Sequence, residues 1–173
     1  MKAALKVVSQ MQADGVIARF AIGGAVGATF YLEPAATFDI DIFIALKNVP
    51  GSPLVSLEPI YRYLSSRGGK PEGEYIVIEG WQVQFLPAGD ALDEEALAEA
   101  VETNVEEVKT RVMTAEHLTA IALRTGRAKD KIRIAQFRES GVLDEGRLER
   151  ILARHGLLAK WKRFNDKYAG DNE

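Results

Sequence analysis

Two aspartates stand two residues apart in the run Phe38-Asp39-Ile40-Asp41-Ile42-Phe43-Ile44. The run alternates at first and then becomes continuously apolar, which predicts a strand with one end at a polar site and the rest buried. Residues two apart on a strand project to the same face, so the carboxylates of Asp39 and Asp41 point the same way. That pair suits a hard divalent cation: Mg²⁺ is commonly held by one or two carboxylates, several waters and a substrate phosphate. Upstream, Gly23-Gly24 falls between a predicted strand over 17–22 and a predicted helix over 25–32. Bare backbone N–H groups at a helix start favour a phosphate. One element is fitted to take phosphate and the other to take metal.

The elements that must position these residues are legible around them. Residues 2–13 read as a helix, and Pro34 stops the short helix after the glycine pair. After the Pro50-Gly51-Ser52-Pro53 loop, residues 57–64 read as a helix ending near Gly68-Gly69. Tyr75-Ile76-Val77-Ile78 and Trp81-Gln82-Val83-Gln84-Phe85-Leu86 read as two strands joined by Glu79-Gly80 and closed by Pro87. Beyond Pro87 the pattern is mainly helical. Thr114 is a predicted N-cap for a helix with Leu118, Ile121 and Ala122 on its apolar face and Gly126 at its end. Leu148, Ile151 and Leu152, then Leu157, Leu158, Trp161, Phe164 and Tyr168, keep helical spacing, with Gly146 and Gly156 as breaks. A soft boundary near 88–92 separates a mixed α/β part (1–90) from a helical part (91–173).

The order strand, Gly-Gly, helix, loop, then the strand carrying Asp39-Ile40-Asp41-Ile42 resembles the nucleotidyltransferase superfamily. The likeness is nearest to its abortive-infection toxin-type (AbiEii-like) branch, whose members often belong to toxin–antitoxin or defence modules. Ile22-Gly23-Gly24 and Asp39-Ile40-Asp41-Ile42 match the two family motifs, with 14 residues between them, slightly more than is usual. The resemblance covers the first 90 or so residues well. It implies an α+β fold, a mixed sheet flanked by helices with a helical C-terminal half. It assigns Asp39 and Asp41 to the metal, Gly23 and Gly24 to the triphosphate, and Thr37 to the polar position before the acids. Arg127-Ala128-Lys129-Asp130 matches a helix start that reaches the phosphates in toxin-type relatives, which makes Lys129 the candidate contact.

Two positions depart from the pattern. Where relatives carry a third acid on a later strand, this chain has Gln84, and Ala35 stands where an arginine is frequent. A neutral amide cannot accept a proton from an attacking hydroxyl and is a poor Mg²⁺ ligand. Glu79, Asp90 or a group on the acceptor side is left to supply the missing carboxylate. The implied reaction is attack of an acceptor hydroxyl, on RNA or a protein side chain, on the α-phosphate of a nucleoside triphosphate such as ATP, with Mg²⁺ bound. The alternative is a catalytically degenerate module that binds nucleotide or a partner.

Composition narrows the classes further. With no cysteine, disulfides, thiolate metal sites and a cysteine nucleophile are excluded. The first residues are too weakly apolar for a signal peptide and no apolar run approaches a membrane span, so the expectation is a soluble cytoplasmic protein. The net charge of −3 conceals a segregation: residues 90–107 hold eight acids and no base, whereas 124–167 hold thirteen Lys and Arg against six acids. The basic stretch reads as solvated helix faces or as a surface for a polyanion. No G-x-G-x-x-G or P-loop fingerprint occurs, and sugar-nucleotide glycosyltransferases carry far more sheet before their Asp-x-Asp. His117 and His155 lack the spaced partners of a zinc site and read as surface or helix-end histidines. Trp161, Phe164 and Tyr168 read as packing residues.

Overall fold

The computed structural model describes residues 1–34, 37, 39–46 and 56–169; the Pro50–Pro53 loop, Ala35 and Phe38 lie outside them. Among the described residues the elements are α1 (Lys2–Ala13), β1 (Arg19–Ile22), α2 (Gly24–Ala28), β2 (Asp39–Ala45), α3 (Glu58–Ser65), β3 (Lys70–Glu72), β4 (Tyr75–Ile78) and β5 (Trp81–Pro87). They continue with α4 (Ala91–Ala98), β6 (Val101–Val105), β7 (Val108–Val112), α5 (Ala115–Thr125), α6 (Ala128–Ser140), α7 (Glu145–Arg154) and α8 (Leu158–Ala169). The fold is mixed α+β, with one seven-stranded sheet in the order β3-β4-β5-β2-β1-β7-β6. Two compact units divide the chain, Met1–Met113 and Thr114–Glu173.

In the first unit β2 is the central strand, antiparallel to β1 and parallel to β5. Its alternation sorts its side chains between two environments. Ile40, Ile42 and Ile44 are fully buried and share one face with Phe20, Ile22, Val83 and Phe85. Leu5, Val8 and Met11, three residues apart on α1, join this cluster with Ile60 and Leu64 of α3. Asp39, Asp41 and Phe43 project to the opposite face.

Three strands differ from the sequence reading. β3 is a short exposed strand. The hairpin of β6 and β7 lies beyond the 88–92 boundary, in a stretch read as helical, and it belongs to the first unit through the parallel pairing of Ile22 with Val112. Its turn is Glu106-Glu107 with φ of 48° and 71°, a left-handed pair that normally calls for Asn or Gly. The helix after Gly23 is also shorter than expected, ending at Ala28.

The second unit is all helical. Thr114 caps α5, its hydroxyl accepting from the His117 N–H, and Gly126 ends that helix in the left-handed region. Leu118, Ile134, Phe137, Leu148, Ile151, Leu152 and Phe164 are buried. Trp161 stacks on Phe164 with ring centroids 5.8 Å apart, the packing role expected of both. Gly146 lies inside α7 instead of breaking it. No described helix is long and apolar enough to cross a membrane.

One polar contact fixes the helices that cover the apolar face. Asp14, at the C-cap of α1, accepts from the Tyr63 hydroxyl of α3 at 2.6 Å, from Gln10 at 2.7 Å and from Arg67 at 3.3 Å. The Tyr63 and Gln10 hydrogen bonds, helped by Arg67 and opposed by desolvation, hold the Asp14 carboxyl below the usual carboxylate range. The unfolded chain then binds the proton more tightly than the folded one, so this contribution is fully present above about pH 4 and is lost as pH falls through the depressed value. Urea midpoints measured from pH 6 to pH 2.5 are expected to fall less steeply below pH 4 in Asp14→Asn than in the wild type.

Candidate functional site

The glycine pair and the acid pair are in direct contact. The Gly23 N–H donates to the Asp41 carbonyl at 2.9 Å, which extends the β1–β2 ladder by one step. The chain then turns sharply, and Gly24 opens α2 with φ +55°. A Cβ on Gly24 would coincide with the Asp41 carboxylate, and one on Gly23 would lie 2.5 Å from Cε2 of the Phe43 ring. Only glycine meets both the positive φ and the close approach at Gly24. At five residues α2 is too short for a large macrodipole, so the turn offers a phosphate chiefly the N–H groups of the first turn, which have no intrahelical acceptor.

Thr37 orients the first acid. Its hydroxyl donates to Asp39 Oδ1 at 2.9 Å and lies 3.3 Å from the Asp39 carbonyl. Asp39 and Asp41 are both half-buried, as a site at a strand end requires. The parallel register places Gln82 beside Asp39 and Gln84 beside Asp41 on the same face. Among the residues present, two adjacent carboxylates on a central strand, facing a turn with no Cβ to fill the space, fit a divalent cation carrying a phosphate.

Gln84 is tied to the neighbouring hairpin. Its Nε2 donates to Glu74 Oε2 at 3.0 Å. Tyr75 stands one step beyond the Ile76–Val83 pair, which sets it beside Gln84. Desolvation comes first in pushing the Tyr75 phenol above its ordinary range, followed by the charges of Glu74 and Asp39, the hydrogen bond to Glu74 and the charge of Asp41. Glu74 and Tyr75 were not singled out from sequence, although a signal existed. The two-residue turn Glu79-Gly80, with φ of 50° and 81°, fixes the hairpin register and brings Tyr75 opposite Gln84.

The other expected residues fall as follows. Asp90 caps α4, accepting from the Asp93 N–H at 3.0 Å, beyond the C-terminal end of β5. Glu79 is exposed in the turn itself. In the second unit, Arg127 and Asp130 form the cap of α6: the Arg127 N–H and guanidinium both donate to the buried Asp130 carboxylate, at 3.2 and 2.8 Å. Lys129 is exposed in the first turn of α6. His117 is at a helix start but fully buried, its Nδ1 2.9 Å from the Thr114 hydroxyl, which corrects the expectation of a surface position.

No family model and no curated protein matches this sequence. Solved structures do. An antigenic nucleotidyltransferase-like protein from Paracoccidioides brasiliensis superposes with a TM-score of 0.56 at 15% identity, over 93% of this chain and 91% of that one. The chain has the nucleotidyltransferase fold. The antibiotic-resistance factor ANT(2'')-Ia gives a TM-score of 0.52 at 16% identity, over 98% of this chain and 97% of its own, in its solution structure. Its crystal structure in complex with adenylyl-2''-tobramycin gives 0.52 at 16%, over 94% and 95%. At such identities the likeness is one of fold, and on this nucleotidyltransferase fold the chemistry must be argued from the site itself.

The contact between Gly24 and Asp41 makes a specific demand on stability. Gly24→Ala is expected to destabilise the chain by about 2–4 kcal/mol, from the positive φ and the overlap together. Adding Asp41→Ala should return about 1–2 kcal/mol by removing the overlap while leaving the φ strain. A double-mutant cycle by urea denaturation checks both figures.

Proposed function

We propose that this chain binds a Mg²⁺–nucleoside triphosphate and transfers its nucleotidyl group to a hydroxyl on RNA or a protein. The observation that carries the reading is the abutment of the Gly23-Gly24 turn on Asp41, which sets backbone N–H donors and a paired carboxylate around one space. Asp39 and Asp41 hold the cation, with Thr37 fixing the Asp39 rotamer. The turn receives phosphate oxygens. When bound, the cation supplies neutralisation of the charge that develops as pyrophosphate leaves. The chain's own part is to align the α-phosphate with the incoming hydroxyl, where positioning provides most of the rate. The adenylylated ligand of ANT(2'')-Ia supports an adenine nucleotide as the donor to try first.

A second reading has its own observation. Gln84 stands in register with Asp41, and a neutral amide there neither takes a proton nor binds Mg²⁺ well. That favours a module that binds nucleotide, or a partner within a defence system, without turnover.

Calorimetric titration of the four nucleoside triphosphates, with and without Mg²⁺, is expected to give Mg²⁺-dependent binding that the Asp39→Asn/Asp41→Asn double variant loses. Transfer of label from an α-labelled triphosphate by wild type, lost in each single variant, separates the enzyme from the binding module. Silence across all four nucleotides would overturn the reading.

A further inference from the structure

The sheet ends in two unlike edges. β3 is short, exposed throughout, and built from Lys70-Pro71-Glu72. Shortness, lysine and proline are the features that guard natural edge strands against further pairing. β6 is the other edge among the described residues, and its Val101-Glu102-Thr103-Asn104-Val105 holds neither lysine nor proline. The Glu106-Glu107 turn closes on the Val105–Val108 pair, with both glutamates at positive φ. In such a two-residue hairpin the closing residues exchange both backbone hydrogen bonds, and bonded pairs then alternate along the ladder. Val101, Thr103 and Val105 therefore direct their N–H and C=O groups to β7. Those of Glu102 and Asn104 point outward from the sheet, and both residues are exposed. Val101 beside them is 50% exposed, an apolar side chain on an open edge.

We propose that β6 pairs antiparallel with β6 of a second copy of this chain, about a twofold axis at Thr103, so that two sheets become one. Glu102 comes opposite the partner's Asn104, and symmetry repeats the pair with the roles exchanged. These are the residues whose backbone groups face outward, so each pair exchanges both of its main-chain hydrogen bonds. A carboxylate then lies across from an amide, whose NH₂ it can accept. Charge selects this register over its neighbours. An axis at Glu102 sets two glutamates face to face, and an axis at Asn104 sets Glu102 against the partner's Glu106, like charges that destabilise a strand pair. On the other face Val101 meets the partner's Val105, and Thr103 meets the partner's Thr103, a pairing favoured between strands. Main-chain bonds supply the affinity of such strand addition and the alternate side chains its specificity.

The chain has no cysteine, so introduced thiols report the register directly. Thr103→Cys sets its thiol beside that of the second copy at a pair without hydrogen bonds, where Cα atoms are about 4.5 Å apart. That is within disulfide reach, and a covalent dimer is expected on mild oxidation. Asn104→Cys puts the two thiols on a diagonal, with Cα atoms roughly 7–8 Å apart, and is expected to stay uncross-linked. Sedimentation velocity of the full chain over a concentration series gives the dimer Kd. Asn104→Glu, which creates two symmetric like-charge pairs, should weaken the dimer about tenfold. Exchanging the groups, Asn104→Glu with Glu102→Gln, again sets an amide opposite a carboxylate and should return the Kd close to the wild-type value. A wild type that is monomeric at every concentration overturns the proposal and leaves the edge to a strand of another protein. A dimer that Asn104→Glu does not weaken, or a weakening that the exchange does not reverse, also overturns it. So does Asn104→Cys cross-linking as readily as Thr103→Cys.

Discussion

The space beside Gly24 is the constraint around which the rest of the first unit is arranged. A side chain at that position would displace the Asp41 carboxylate, and without the turn β1 would not deliver its backbone to the acid pair. The turn in turn depends on β1 and β2 being neighbours, since the Gly23 N–H continues their ladder on the Asp41 carbonyl. Both strands need the apolar face sealed behind them by α1 and α3. A single missing methyl group thus links the geometry of the glycine turn, carboxylate placement and the hydrophobic core.

β2 shows how one strand serves two purposes. Its isoleucines supply three of the fully buried side chains of the core, while the alternate positions carry the acids. Burying Ile40, Ile42 and Ile44 is worth several kcal/mol, and that apolar surface is what holds two neighbouring carboxylates side by side despite their repulsion. Thr37 and Gly23 then fix the details, through the Asp39 rotamer and the Asp41 carbonyl.

Much of this was readable in the residues because period and punctuation agreed. α1 spans the predicted 2–13, and β4 matches the predicted strand because both ends are marked by turns. The Gly-Gly and Asp-x-Asp elements came out adjacent, as the family resemblance implied. What escaped had weak or misleading signals. Lys70-Pro71-Glu72 buries nothing, so β3 has no hydrophobic period to read. Val108-Lys109-Thr110-Arg111-Val112 does alternate, but it follows an acid-rich stretch and its turn is made by two glutamates in the left-handed region, where no turn residue announces it. Glu74 was missed for a different reason: its place is set by hairpin register across three strands, and reading each strand separately never brings it beside Gln84. Gln84 was correctly picked out as anomalous, but its partner became visible only through the pairing.

The position of β2 in the sheet has a consequence for how the site can change. With three strands on either side, β2 can open only when the sheet opens, so the acid pair belongs to the most protected part of the unit. The β3–β4 hairpin is at the margin, where strands fray and sequence drifts at little thermodynamic expense. A lineage built on this scaffold is therefore free to vary the residues of the hairpin while the two aspartates stay fixed, so diversity should accumulate at the sheet's rim and constancy at its centre.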